Sequence, residues 1–156
     1  MEPRMGLYIH IPFCASKCGY CDFYSRAGCE SEMPRYQQAL IAHIRECVPR
    51  IAPAYIDTVY FGGGTPSYYG ARRIAQVLDE IKSSGLLMRS AEITVEANPD
   101  SLSRGEARIL RRAGVNRLRV EIREIKQHMM KIIAPQMTFT QGSREQHGPW
   151  SLTAPR

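Results

Sequence analysis

Apolar positions along the chain switch between two periods. The run Leu7-Tyr8-Ile9-His10-Ile11 is too short for a helix and stops at Pro12, so it predicts a strand. Leu7, Ile9 and Ile11 share one face of it, and Tyr8 and His10 share the other. From Met33 and Pro34 onward, Tyr36, Leu40, Ile41, Ile44 and Val48 recur at helical spacing, with Pro34 suited to the first turn and Pro49 closing the helix. A second strand, Thr58-Val59-Tyr60-Phe61, runs into Gly62-Gly63-Gly64-Thr65-Pro66-Ser67. The helix after it carries Ile74, Val77, Leu78 and Ile81 on one face, with Gly85 just past its end.

The third strand, Glu92-Ile93-Thr94-Val95-Glu96-Ala97, is stopped by Asn98-Pro99. Ser103 and Glu106 form a capping box for a third helix containing Ile109 and Leu110, Gly114 supplies its stop, and a fourth strand starts at Val115. Strand, loop and helix repeat, which predicts an α/β fold with parallel strands and right-handed crossovers, as in a barrel or an open sheet. In such folds chemistry sits at the C-terminal ends of the strands.

With 156 residues the chain has room for one domain with a real core and too little for two. Its net charge of +6 and pI near 9.2 could suit an anionic partner such as nucleic acid. The basic residues are scattered, however, and the densest group, Arg104, Arg108, Arg111, Arg112, Arg117 and Arg119, lies on and after the third helix. That pattern reads as a solvated helix face, so no nucleic-acid partner is expected. No run approaches the ~18 apolar residues of a transmembrane helix. The N-terminus has no secretory pattern, and with five cysteines, an odd number, a reducing cytoplasm is expected.

Three of those cysteines, Cys14, Cys18 and Cys21, lie in one loop with the spacing C-x3-C-x2-C. Thiolates select zinc, copper(I) or iron–sulfur clusters. Three thiolates leave one iron of a [4Fe-4S] cluster without a protein ligand, an open position through which a metal site binds substrate or cofactor. The loop alone fits equally a zinc site completed by Cys29 or His10. Cys47 reads as a small apolar residue late in its helix.

The triple glycine lets backbone groups approach a ligand closely. It lacks the Walker lysine and does not match G-x-G-x-x-G, so a phosphate cradle is not expected. Glu96 is a carboxylate at the end of an apolar strand and must find a partner. Arg119 is one, and a cationic or hydroxyl-bearing ligand is the other. Tyr20, beside Cys21, could offer its ring to a planar group.

In combination, Tyr8-Ile9-His10-Ile11-Pro12-Phe13-Cys14, the cysteine loop, Cys21-Asp22-Phe23, Gly62-Gly63-Gly64-Thr65-Pro66-Ser67, Glu96-Ala97-Asn98-Pro99 and Ala113-Gly114-Val115-Asn116-Arg117-Leu118 resemble the radical S-adenosylmethionine (SAM) superfamily. Within it they are similar to the oxygen-independent coproporphyrinogen III oxidase group and its haem-chaperone relatives. The resemblance implies a partial (β/α) barrel with about four parallel strands. It implies that Cys14, Cys18 and Cys21 hold a [4Fe-4S] cluster whose fourth iron is chelated by SAM. Tyr8, Tyr20, Gly63, Gly64, Thr65 and Glu96 would contact SAM, and no residue is assigned a catalytic role of its own. An electron donor such as a flavodoxin or ferredoxin would be a partner.

The oxidases carry a further cysteine where this chain has Phe23, and a long N-terminal arm where this chain begins a few residues before its first strand. Both features resemble the chaperone branch and imply haem as ligand, with a haem-acceptor protein as partner. Oxidative decarboxylation of coproporphyrinogen III is the alternative function, and a zinc-binding nucleic-acid module is a third.

After Leu118 the resemblance stops. The family's Ser-Ile-Gly-Val-Gln is replaced by Arg119-Val120-Glu121-Ile122-Arg123, and the haem-binding His-Asn-x-x-Tyr-Trp motif is missing. Residues 1–122 are therefore expected to form the N-terminal part of a truncated radical-SAM core. Residues 123–156 are expected to be divergent: a helix built on Ile122, Ile125, Met129, Ile132 and Ile133, then a polar, disordered tail. A four-stranded sheet of this kind would have an exposed edge, and its mouth would lack one wall.

Overall fold

The computed structural model describes residues 2–16, 24–120, 138–140 and 150–153. Its chain order is β1 (Arg4–Ile11), β2 (Phe13–Cys14), β3 (Arg26–Ala27), α1 (Met33–Cys47), β4 (Tyr55–Gly63), α2 (Pro66–Tyr69), α3 (Ala71–Ser83), β5 (Leu87–Ala97), α4 (Arg104–Arg112), β6 (Arg117–Val120), β7 (Thr138–Thr140) and β8 (Trp150–Thr153).

β1, β4, β5 and β6 are adjacent and parallel, with helices α1, α3 and α4 in the crossovers between them. The α/β expectation is met. Alternation decides which side chains meet the helices: Ile9 and Ile11, Val59 and Phe61, Ile93 and Val95, and Leu118 and Val120 are all buried. They pack with Ile44 of α1, Ile74, Val77, Leu78 and Ile81 of α3, and Leu110 of α4 in one core. Each fully buried Leu or Ile there contributes roughly 1.5–3 kcal/mol relative to exposure.

Local signals act where the sequence places them. The Ser103 hydroxyl accepts from Glu106 N at 3.2 Å, and the Glu106 carboxylate accepts from Ser103 N at 3.1 Å, closing a capping box. Asn116 extends the β5–β6 ladder by one rung with its side chain. Its Oδ1 accepts from Ile93 N and its Nδ2 donates to Ala91 O, both at 2.8 Å.

The strands differ from expectation at their starts. β1 begins at Arg4, β4 at Tyr55 and β5 at Leu87, all before their apolar alternation becomes clear, and β6 begins at Arg117 after the expected Val115. Two segments of the expected tail are strands: β8 pairs antiparallel with β6, Leu118 opposite Leu152 and Val120 opposite Trp150, and β7 pairs with β8. The sheet order is β1-β4-β5-β6-β8-β7, so β6 is not an edge. The helix expected from Ile122 to Ile133 lies outside the described residues. Among the described residues no helix is long and apolar enough to cross a membrane.

Candidate functional site

The sheet face opposite the helices is polar. The register places Tyr8 beside Tyr60, Tyr60 beside Thr94, and Glu96 beside Arg119, with side chains of even-numbered residues in β1, β4 and β5 on this open face. Tyr8 is 56% exposed and its ring stacks on Tyr60 at a centroid distance of 6.0 Å. The Tyr8 hydroxyl lies 3.2 Å from His10 Nδ1, and His10 Nε2 lies 3.0 Å from the Tyr24 carbonyl oxygen.

Glu96 is the centre of this face. Its Oε1 accepts from the Tyr60 hydroxyl at 2.5 Å, and its Oε2 accepts from Gly63 N at 3.2 Å. Arg119 Nη1 lies 3.8 Å from Glu96 Oε1 and donates to the Tyr60 hydroxyl oxygen at 3.0 Å. The expected Glu96–Arg119 pair is thus present, with Tyr60 set between the two. Burial and the bond to Glu96 push the Tyr60 phenol up to about 12, with Arg119 pulling against them. Arg117, bonded to Glu92 Oε1 at 2.8 Å, shares the face with Arg119. The helical arginines Arg104, Arg108, Arg111 and Arg112 are exposed, as a solvated face requires.

At the C-terminal edge of the sheet the glycine loop is sewn to the start of the cysteine loop. Gly64 N donates to Ile11 O at 2.7 Å and Thr65 N donates to Phe13 O at 2.8 Å. Gly63 has φ +113°, a conformation open to glycine, and an added Cβ there would meet the His10 ring at 2.5 Å. A Cβ on Gly64 would stand 2.7 Å from Phe13 O and 3.0 Å from Cys14 Sγ. The Thr65 hydroxyl donates to Cys14 Sγ at 3.6 Å.

Phe13 is fastened from the helix side. Its ring stacks on Tyr69 at 5.5 Å and meets Tyr36 edge-on at 5.3 Å. The Tyr36 hydroxyl donates to His10 O, and the Tyr69 hydroxyl donates to the buried side chain of Gln37.

Of the residues singled out in the sequence, Tyr8, Cys14, Gly63, Gly64, Thr65 and Glu96 gather at this strand end. Cys18, Tyr20 and Cys21 lie outside the described residues. Cys29 Sγ donates to Ala27 O at 3.5 Å, and Cys47 ends α1 half-buried. Among the described residues no three His, Cys, Asp or Glu side chains are gathered as a metal site. The chemistry of the donor fits a cluster: Cys14, at the described start of the loop, offers a soft thiol, and the missing Cβ of Gly64 lets the glycine loop pack against it. Tyr60 was missed by sequence reading. Its signal was its parity with Gly62 on the face away from the core.

Residues 8–141 match the family model described as "Radical SAM superfamily". The chain is 35% identical over 133 residues to "Heme chaperone HemW" of Buchnera aphidicola subsp. Schizaphis graminum, covering 84% of this chain and 35% of that protein. It is 36% identical over 131 residues to "Heme chaperone HemW" of Escherichia coli (strain K12), covering 83% of this chain and 34% of that one. Mus musculus "Radical S-adenosyl methionine domain-containing protein 1, mitochondrial" is 31% identical over 132 residues, covering 83% of this chain and 29% of that protein. The chain therefore spans about a third of the length of the curated relatives it matches. Among solved structures, coproporphyrinogen III oxidase (HemN) from Escherichia coli aligns with TM-score 0.75 at 24% identity, over 86% of this chain and 34% of that one. That likeness concerns the fold.

Proposed function

The chain belongs to the radical SAM superfamily, and from that premise we propose that it binds a [4Fe-4S] cluster and SAM and serves in haem transfer to an acceptor protein. Cys14, Cys18 and Cys21 are the cluster ligands in this proposal. A cluster and SAM held there by Cys14, Cys18 and Cys21 and by the glycine loop would supply one-electron reductive chemistry, with the protein positioning them.

The chain's own residues bind and orient. In this proposal Gly63 and Gly64, which lack the Cβ atoms that would strike His10, Phe13 O and Cys14, bring the loop close to Cys14 and contact the methionine part of SAM. Glu96, held by Tyr60 and Gly63 N, presents a fixed carboxylate to cationic groups of the cofactor. Tyr8 offers its exposed ring on the same face, and Tyr20 is the second aromatic assigned to SAM.

One observation carries the proposal: the start of the cysteine loop, up to Cys14, is tied to the glycine loop and Glu96 at a single strand end by the bonds of Gly63, Gly64 and Thr65. The chaperone branch is favoured by Phe23, which stands where the oxidases have a further cysteine, and by the likeness to proteins called haem chaperones. We place the chain in the cytoplasm, with a flavodoxin or ferredoxin as electron donor and no nucleic-acid partner.

The test is a haem titration of the anaerobically reconstituted chain, run beside an assay for 5′-deoxyadenosine with SAM and reductant. Saturable haem binding with SAM binding supports the chaperone reading. Decarboxylation of coproporphyrinogen III coupled to SAM cleavage establishes the oxidase instead. A chain that binds neither haem nor SAM refutes both.

A further inference from the structure

Thr65 is the N-cap of α2, a position where threonine ordinarily uses its hydroxyl oxygen to accept a backbone N–H of the first turn. Here the hydroxyl makes no capping bond. It points at the neighbouring loop and donates to Cys14 Sγ at 3.6 Å. The same residue's backbone N–H donates to Phe13 O at 2.8 Å, so both donors of Thr65 grip consecutive residues of the cysteine loop. Gly64 makes this approach possible, because a Cβ there would stand 3.0 Å from the same sulfur. Helix capping has been given up in favour of a contact with one sulfur.

We propose that Thr65 is a positioning residue that donates its hydroxyl hydrogen to the Cys14 thiolate, holding that ligand in place and raising the reduction potential of the cluster it binds. The proposal rests on the assignment of Cys14 as a cluster ligand. Its physical basis is charge: a donor aimed at a ligating sulfur draws electron density from it, and the reduced cluster, being more negative, gains more from that bond than the oxidised one. Reduction is thereby favoured.

Thr65→Val keeps the shape and removes the donor, and Thr65→Ser keeps the donor and removes only a methyl group. The full chain and both variants are reconstituted anaerobically with iron and sulfide. Iron and sulfide content is measured first, and the midpoint potential is then read by EPR-monitored titration without SAM. The expected result is a lower potential in Thr65→Val and a return toward the parent value in Thr65→Ser. Loss of cluster in Thr65→Val with retention in Thr65→Ser supports the same bond. Equal potentials in all three proteins overturn the proposal, as does cluster loss in both variants, which would mean that the hydroxyl is not what matters. A parent chain that takes up no iron–sulfur cluster overturns the assignment of Cys14, and the proposal with it.

Discussion

Replacing Gly64 with alanine adds one methyl group where the glycine loop is pressed against the end of β1. An ideal Cβ would stand 2.7 Å from Phe13 O, 2.9 Å from Ile11 O and 3.0 Å from Cys14 Sγ. Neither oxygen can recede freely, because Ile11 O accepts from Gly64 N at 2.7 Å and Phe13 O accepts from Thr65 N at 2.8 Å. Relief requires the glycine loop to move off the β1 strand end, lengthening both bonds. Overpacking of this kind costs about 1–3 kcal/mol. For a chain of this size each kcal/mol lowers Tm by roughly 2–4 °C, so a fall of about 2–12 °C is expected.

Gly105→Ala is the matched control. Its Cβ would meet only Ser103 Oγ, at an ordinary 3.7 Å, within the first turn of α4. Alanine is the better helix former by up to about 1 kcal/mol, so this variant should melt slightly above the parent. Thermal melts followed by circular dichroism, with iron uptake measured on the same samples, decide the matter. Gly64→Ala melting with the parent and taking up iron equally would show that the two loops are not locked together as described.

Further expectations concern the core, the sheet and the open face. Leu78→Ala empties a fully buried position and should cost about 2–5 kcal/mol in denaturant unfolding; a loss below 1 kcal/mol would place Leu78 outside the core. Asn116→Ala leaves Ile93 N and Ala91 O without their partner and should cost roughly 1–3 kcal/mol, read the same way. Tyr60 rises from the ordinary phenol value of 10.0 to about 12 in the fold, so its support is complete below the lower value and is lost as pH climbs through the upper one. Burial raises Tyr36 and Tyr69 in the same direction, so Tyr60→Phe should flatten that alkaline decline only in part. An unchanged decline in Tyr60→Phe refutes the Tyr60 contribution.

Helices were the most legible elements, because their apolar faces rest on the sheet. Ile74, Val77, Leu78 and Ile81, spaced for one face, are all buried, and the Ser103–Glu106 signal is a formed capping box. Strand starts were less legible: β5 extends back through the exposed Arg89 and Ser90 to Leu87, which pairs with Ile56 across a break in register before Thr58, so no apolar alternation marks its beginning. β7 and β8 could not be read from a polar, Gly- and Pro-containing segment, since β8 is placed by the backbone edge of β6 and β7 by that of β8. At the site, residue types announced the cysteine and glycine loops and Glu96. Tyr60 and the Thr65–Cys14 contact depend on strand register and on the path of a loop, which spacing along the chain does not encode.

The most direct measurement of the central claim is EPR of the anaerobically reconstituted, reduced chain with and without SAM, beside Cys18→Ser and Cys29→Ser. The account predicts a [4Fe-4S] signal that changes when SAM is added, that is abolished by Cys18→Ser and that survives Cys29→Ser. A colourless protein carrying zinc, or a cluster as sensitive to Cys29 as to Cys18, would contradict it.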